Sequence, residues 1–258
     1  MLAFLHHCKT DNVGDKYSGP YHYFDFGKYN VIDLRNICSV MNYDAAIFGG
    51  GAVAGNIRTF SLHHKVKADK RIGWGFGRTT KLKNPADYTK PVAYPTGFNF
   101  MGIRDYFSPM QERTTFLPCV SCMCPAFDQD YSITRKYAGF FNAKRIVPRL
   151  ARQDMRPKDV MLNNVSIEAV IAHLASAQIV ITNSYHGAYW GMLLGKGVII
   201  LHPYSSKFYQ FKWKMHHSFA QELKQLHPVS GKCYEGVLEE CRMLNRQFYA
   251  KVLDSLNG

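Results

Sequence analysis

His186 is the residue whose type and setting point most directly to chemistry. It stands in the stretch Gln178 to Tyr209, QIVITNSYHGAYWGMLLGKGVIILHPYSSKFY. The β-branched run at 178–182 reads as a buried parallel strand. Asn183 and Ser184 follow, with side-chain oxygens suited to capping a helix. Residues 187–194 are apolar almost all round, so the helix they form is expected to be buried. Gly195 and Gly197 end it, and 198–201 reads as the next strand. His186 then lies in the first helical turn, outside the carboxyl ends of the strands, where parallel α/β sheets bind their ligands. Free amides at that helix end attract an anion and disfavour an imidazolium. A neutral imidazole beside an anion site is suited to take or give a proton near neutral pH. From position alone, a histidine satisfied at a strand end and touching no ligand remains an open alternative.

Other candidates lie at other strand ends. Residues 2–6 read as a first strand, followed by the loop KTDNVGD, Lys9 to Asp15, which offers Asn12 and Asp15 around a permissive Gly14. A second strand, 44–48, delivers Gly49, Gly50 and Gly51, whose amides could face a ligand closely. Their spacing is not the dinucleotide fingerprint, and no acidic residue ends a strand about 20 residues on. A third strand, 71–74, ends in GWGFGR. The run NFMGIRD at 99–105 ends in Arg104 and Asp105. That pair suits a structural ion pair, but an arginine there could equally fork a carboxylate or phosphate. After the strand at 198–201, Ser205, Ser206 and Lys207 form another anion-binding composition. Cys119, Cys122 and Cys124 have CxxCxC spacing, which would hold zinc only if the fold brought a fourth ligand. No metal is expected.

These residues must be carried by a folded core. With 47% hydrophobic residues and 14% aromatics among 258, the chain can bury one and is not disordered. A formal charge of +13 calls for anionic partners without choosing among them. Peripheral contact with an anionic membrane fits that surplus. No zinc-finger or RNA-recognition motif is present, and nucleic acid is not expected. Seven cysteines in no disulfide pattern fit a reducing compartment. The absence of a membrane-length apolar run or a signal-like start leads us to expect a cytoplasmic protein. Residues 127–157 turn polar and basic, and a domain junction falls there most naturally. Ser166 caps a predicted helix at 167–176. Val237, Cys241, Leu244, Phe248 and Val252 recur at helical spacing in a long final helix over 234–256, a packing stripe.

With DNVGD, FGGG, GWGFG, GIRD, PCVSCM, TNSYHGAYWGMLLGK and SSKFY in order along most of the chain, the sequence resembles the polysaccharide pyruvyl transferase family. Each short motif is weak alone; the order, and the long block around His186, carry the likeness. The resemblance implies an α/β fold of two Rossmann-like domains facing a cleft, as in B-type glycosyltransferases. We divide the chain into domains 1–125 and 126–258, the second carrying His186 and the closing C-terminal helix. The resemblance also implies transfer of the enolpyruvyl group of phosphoenolpyruvate onto two hydroxyls of a sugar, giving a pyruvate ketal and phosphate. Phosphoenolpyruvate is then a co-substrate, no other cofactor or metal is needed, and the acceptor is a sugar or lipid-linked oligosaccharide. Position by position, His186 matches the histidine of the family's Arg-x-His motif, Arg104 the arginine of its Arg-Asp pair, and Asp15 the aspartate of its Asn-x-Gly-Asp loop. His186 and Asp15 are the candidate catalytic residues. Asn12, Gly50, Gly51, Arg104, Asn183, Ser184, Tyr185, Ser205, Ser206 and Lys207 are the candidate substrate contacts. One departure stands out. The family's arginine two positions before the histidine is Ser184 here: Lys207 could replace it, the donor could be held differently, or the protein could be inactive. A glycosyltransferase using a nucleotide-sugar and an inactive glycan-binding relative are the competing readings.

Overall fold

The structure is a computed structural model and describes residues 1–51, 63–79, 96–107, 112–145, 149, 153–227 and 229–258. Two parallel sheets organise it. The first contains β1 (Leu2–His6), β2 (Tyr29–Asp33), β3 (Met41–Gly49), β4 (Val66–Phe76), β5 (Phe100–Ile103) and β6 (Thr114–Phe116), in the order β2-β1-β3-β4-β5-β6. The second contains β7 (Arg135–Phe141), β8 (Val160–Leu162), β9 (Ala177–Thr182), β10 (Gly197–Leu201) and β11 (His216–Ser218), in the order β11-β10-β9-β7-β8. Every pairing is parallel, so each sheet gathers its carboxyl ends along one edge.

The strands the sequence marks most clearly are those covered on both faces. All five residues of β1 and all five of β10 are buried, as expected of apolar strands inside a parallel sheet. In β3 only the last five residues are buried. The polar start, Met41 to Asp44, explains why the periodicity shows a shorter strand.

Four α-helices lie among the described residues: α1 (Val13–Lys16), α2 (Ile167–Ala175), α3 (Tyr185–Leu193) and α4 (Val237–Asn257). Ser166 caps α2 by accepting from the Ala169 N–H at 3.2 Å. All nine residues of α3 are buried. Gly187 and Gly191, one turn apart, let it settle onto the sheet. A Cβ on Gly187 would meet the Thr182 hydroxyl at 2.4 Å and the Phe140 ring at 2.6 Å. The expected cap of α3 is not formed as read: the Ser184 side chain makes no capping bond. Thr182 Oγ1 instead accepts from the Ser184 N–H at 2.9 Å, and Asn183 Oδ1 accepts from the Asn142 N–H at 2.9 Å.

Helix α4 serves both sheets. Val237 and Cys241 lie in the core of the second. Phe248 and Val252 pack with Trp74 and Phe100 of the first. Between them, buried Asn245 accepts from Trp74 Nε1 at 3.0 Å and donates to the Pro118 carbonyl at 3.2 Å. Arg242 forks Asp128 at 2.6 and 2.9 Å and donates to the Cys122 carbonyl at 3.1 Å. The PCVSCMC segment is thus held under the final helix. Residues 146–148 and 150–152 of the expected junction lie outside the described residues; Arg135–Phe141 of the same stretch is strand β7, paired on both sides. Among the described residues no helix is long and apolar enough to cross a membrane.

Candidate active site

The carboxyl ends of both sheets line one cavity of about 530 Å³. From the first sheet come His7, Asn12 and Asp15 after β1, Thr79 after β4 and Arg104 after β5. From the second come Asn142 and Arg145 after β7, Asn163 after β8, Ser184, Tyr185 and His186 after β9, and Tyr204 and Lys207 after β10. Within each sheet topology gathers them, since a parallel sheet delivers every strand's carboxyl end to one edge.

Two loops are tied across this cavity. Asn163 donates from Nδ2 to Asn12 Oδ1 at 2.8 Å, and its carbonyl accepts from the Val13 N–H at 2.9 Å. Asn12 in turn donates to Asp15 Oδ2 at 2.6 Å. The loop DNVGD therefore presents its carboxylate in a fixed place, with Asp15 already holding one hydrogen bond.

His186 is 4% exposed. Burial, then Arg104, then Lys207, hold its pKa well below the ordinary histidine range, so the resting imidazole is neutral near pH 7. Cys119 Sγ lies 3.6 Å from Nε2. On the ring's other side a Cβ placed on Gly14 would meet Nδ1 at 1.9 Å.

Arg104 is 3% exposed, and its guanidinium lies over the Tyr185 ring at 4.0 Å. Its Nε and Nη1 are buried without hydrogen-bond partners. A buried charge in that state is costly, and an anion in the cavity would satisfy it. Tyr185 is itself fixed by stacking on Phe211, 4.6 Å between ring centroids. The adjacent Asp105 accepts from the Arg78 N–H at 2.7 Å and so holds the loop after β4. Lys207, half-buried in the turn after β10, donates to the Tyr204 hydroxyl at 3.3 Å. Burial first, then Arg104, pull its pKa down to about 8, against the opposing pull of Asp15. Arg145 lies over the other aromatic contact of this group, 4.3 Å from the Tyr204 ring centroid.

Of the expected residues, His186, Asp15, Asn12, Arg104, Ser184, Tyr185 and Lys207 meet at the cavity. The others stand behind it. Gly50 spends its N–H on the Trp74 carbonyl at 2.8 Å, so that amide is not aimed at a ligand. Gly51, at φ +80°, leaves room beside Asp15, whose Oδ1 would lie 3.4 Å from an added Cβ. Asn183 supports the loop after β7 through Asn142. Ser205 and Ser206 are buried and do not line the cavity. The sequence reading misses His7, Asn163, Tyr204, Arg145 and Thr79. His7 has a usable signal, since it directly follows a predicted strand. Asn163 has none, because β8 is three half-buried residues. Cys119, Cys122 and Cys124 are buried, and among the described residues no three His, Cys, Asp or Glu side chains gather as a metal site would require.

Comparison with solved structures gives distant likenesses. A functionally uncharacterized protein of Klebsiella pneumoniae subsp. pneumoniae NTUH-K2044 is 14% identical, with 85% of this chain and 92% of that one covered at a TM-score of 0.48. The glycosyl transferase family 9 protein of Veillonella parvula DSM 2008 is 13% identical over 95% and 88%, at 0.35. The wall teichoic acid polymerase TagF is 11% identical over 96% and 80%, at 0.41. These likenesses fix no activity. No curated protein matches the chain. The sequence pattern of polysaccharide pyruvyl transferases matches residues 4–203, a span that contains all of β1 after its first two residues, β2 to β10 and every cavity residue described above except Tyr204 and Lys207, and on that match the chain belongs to the polysaccharide pyruvyl transferase family.

Proposed function

We propose that this protein transfers the enolpyruvyl group of phosphoenolpyruvate to two hydroxyls of a sugar in a polysaccharide or its precursor, in a cleft between two Rossmann-like domains. The observation that carries the reading is a buried neutral histidine flanked by two cations, Arg104 and Lys207. The donor's carboxylate and phosphate require two cations, and its methylene carbon requires a proton.

Arg104 would fork the carboxylate, since two of its nitrogens are unpartnered and the Tyr185 stack fixes its plane. Lys207 would meet the phosphate as a point charge, in the place left by the family arginine at Ser184. Donor anions would offset both cations and raise the proton affinity of His186, so that the ring takes up a proton from solvent as the donor binds. His186 then protonates the methylene carbon, and the first sugar hydroxyl adds to the central carbon, returning its proton to the ring. The second hydroxyl adds as the bond from that carbon to the phosphate oxygen breaks, and its proton leaves with the phosphate. Two hydroxyl protons are lost; the new methyl group gains one and phosphate the other. Asp15, pinned by Asn12, is placed to orient the hydroxyls.

Incubation of acceptor glycans with phosphoenolpyruvate and the protein, followed by mass spectrometry and phosphate assay, tests this. One ketal-linked pyruvate and one phosphate per turnover are expected. His186→Ala should lose about 10²–10⁴ in rate while unfolding cooperatively. Turnover of nucleotide-sugars instead, or wild-type turnover by the variant, overturns the reading.

A further inference from the structure

The cysteine motif under α4 reaches the candidate active site through a directed chain of hydrogen bonds. Trp190, in the same helix as His186, donates from Nε1 to Ser121 Oγ at 3.0 Å. Ser121 passes its own hydroxyl proton to Cys119 Sγ at 3.3 Å. Cys119 Sγ lies 3.6 Å from His186 Nε2. All three residues behind the imidazole are at most 1% exposed. Tyr189 further fixes the Cys119 backbone, its hydroxyl donating to the Cys119 carbonyl at 2.8 Å.

The chain has a direction because an indole N–H can only donate. With Ser121 accepting from Trp190 and donating to sulfur, the thiol proton is free to be given to Nε2. A neutral imidazole whose Nε2 accepts carries its own proton on Nδ1. Nδ1 takes no partner among the described residues and lies against Gly14, where the ring lines the cavity.

We infer that Cys119 is a positioning residue: its thiol holds Nε2 of His186 away from substrate, fixes the resting ring as the Nδ1–H tautomer, and leaves Nδ1 as the nitrogen through which protons pass. This rests on the reading of His186 as the proton-handling group. A thiol suits the task better than a carboxylate would. It donates to Nε2 while the ring is neutral and accepts from it once the ring is charged, since sulfur is both a weak donor and a weak acceptor. A carboxylate in its place would only accept, would favour the opposite tautomer and would pull the ring toward the charged form. In the donor complex the ring takes up a second proton from solvent, held on Nε2 and bonded to Cys119 sulfur, so when Nδ1 gives its own proton to the methylene carbon the ring keeps the one on Nε2. Nδ1 is then free to take the proton of the incoming hydroxyl, and the cycle needs no ring flip. The charged or titratable groups around the ring are Arg104 after β5, Lys207 after β10, Asp15 on the loop after β1, and the neighbouring Tyr185.

The test reads the tautomer directly. In protein labelled with ¹⁵N-histidine at neutral pH, with His186 assigned by its loss in His186→Gln, long-range proton–nitrogen correlation should show a protonated Nδ1 and a bare Nε2. Cys119→Ser, which keeps one donor and its acceptors, should preserve that pattern. Cys119→Ala should lose it. In turnover, Cys119→Ala should lower kcat by about 100-fold with little change in KM, and Cys119→Ser should recover most of that loss. A wild-type ring protonated at Nε2, or a Cys119→Ala ring with the wild-type pattern, overturns the inference. If Cys119→Ala does not fold, the wild-type and Cys119→Ser spectra still decide. If the tautomer is as stated but no pyruvate is transferred, the proposed function fails and the Cys119 relation stands.

Discussion

Gly14 and His186 come from opposite sheets, and the imidazole lies so close to the glycine that an added Cβ would meet Nδ1 at 1.9 Å. Gly14 needs no left-handed backbone; it is absent from the positive-φ positions. What the glycine of DNVGD supplies is space for the imidazole. Gly14→Ala should therefore push the ring from its seat between Cys119 and the cavity. Misplacement by about 1 Å costs roughly 100-fold in rate. We expect kcat to fall by that order while thermal unfolding stays cooperative, because α1 is a single turn and its other contacts remain. Wild-type kcat in Gly14→Ala would show that the ring works from another position.

Under the proposed function, Lys207 should set the alkaline limit of donor capture. Its pKa is drawn down to about 8 by burial and by Arg104. The charged form is the one that meets phosphate, so affinity is present below that value and lost as pH rises through it. kcat/KM for phosphoenolpyruvate, which reports the free enzyme, should fall above about pH 8. Lys207→Arg should carry activity to higher pH, since a guanidinium stays charged. Lys207→Ala should raise KM by about ten- to a hundredfold, more than Lys67→Ala at an exposed strand position, and Ser184→Arg should partly restore it. An alkaline limb unchanged in Lys207→Arg would assign it to another group.

How much of this is legible in the sequence follows from burial. Strands β1, β9 and β10, and helix α3, are buried through nearly every residue. Their composition is one-sided, and the sequence marks them together with His186. Strand β7 falls within the stretch that reads as a junction, although it is an inner strand of the second sheet, paired with β9 and β8. It opens with Arg135 and Lys136 and shows an apolar face only from Tyr137 to Phe141. β2 and β8 escape because none of β8's residues, and only one of β2's, is fully buried. In the site, charge and motif disclose Arg104, Lys207 and Asp15. Asn163 acts through a pairing 151 residues away and nothing local marks it, whereas Tyr204, three residues before Lys207, carries no charge to single it out. Cys119 is visible only as a metal-ligand spacing, whereas its partner is one imidazole supplied by the other sheet.

Acid stability should depend on His6, which is 1% exposed and bonded through Nε2 to the Tyr21 hydroxyl at 2.7 Å. Burial, with His22 adding to it, lowers its pKa to about 4. The unfolded chain takes up this proton near pH 6.5 and the folded one near 4, so the contribution is full above the first value and is lost between the two. The linkage amounts to about 3 kcal/mol over that window. Urea unfolding of the wild type should weaken from pH 7 to pH 4 by more than that of His6→Gln. Buried histidines that do not interact with His6 add to both slopes equally, so the difference reports His6 together with its coupling to His22 and His7. Parallel slopes would mean that His6 is charged in the folded state.

Asn163 is the joint through which the two sheets hold the candidate site together, and its amide is used at both ends. Nδ2 donates to Asn12 Oδ1 across the cavity at 2.8 Å, while Oδ1 accepts from the Ala143 N–H at 2.8 Å. In Asn163→Asp the new carboxylate would keep the second bond and turn the first into two facing oxygens. Since Asn12 also carries Asp15 through its own Nδ2, the repulsion would reach the carboxylate of the DNVGD loop. Asn163→Ala loses both bonds but creates no repulsion. The asymmetry of hydrogen bonding, in which an unmatched buried group costs more than an absent one, therefore ranks Asn163→Asp as the worse change. We expect Asn163→Asp to destabilise by about 1–3 kcal/mol and to lower kcat further than Asn163→Ala does, with thermal unfolding and turnover measured on both. Were Asn163→Asp the milder variant in turnover, Asn12 would have to turn its amide toward residue 163, and the hold on Asp15 would not pass through this bond.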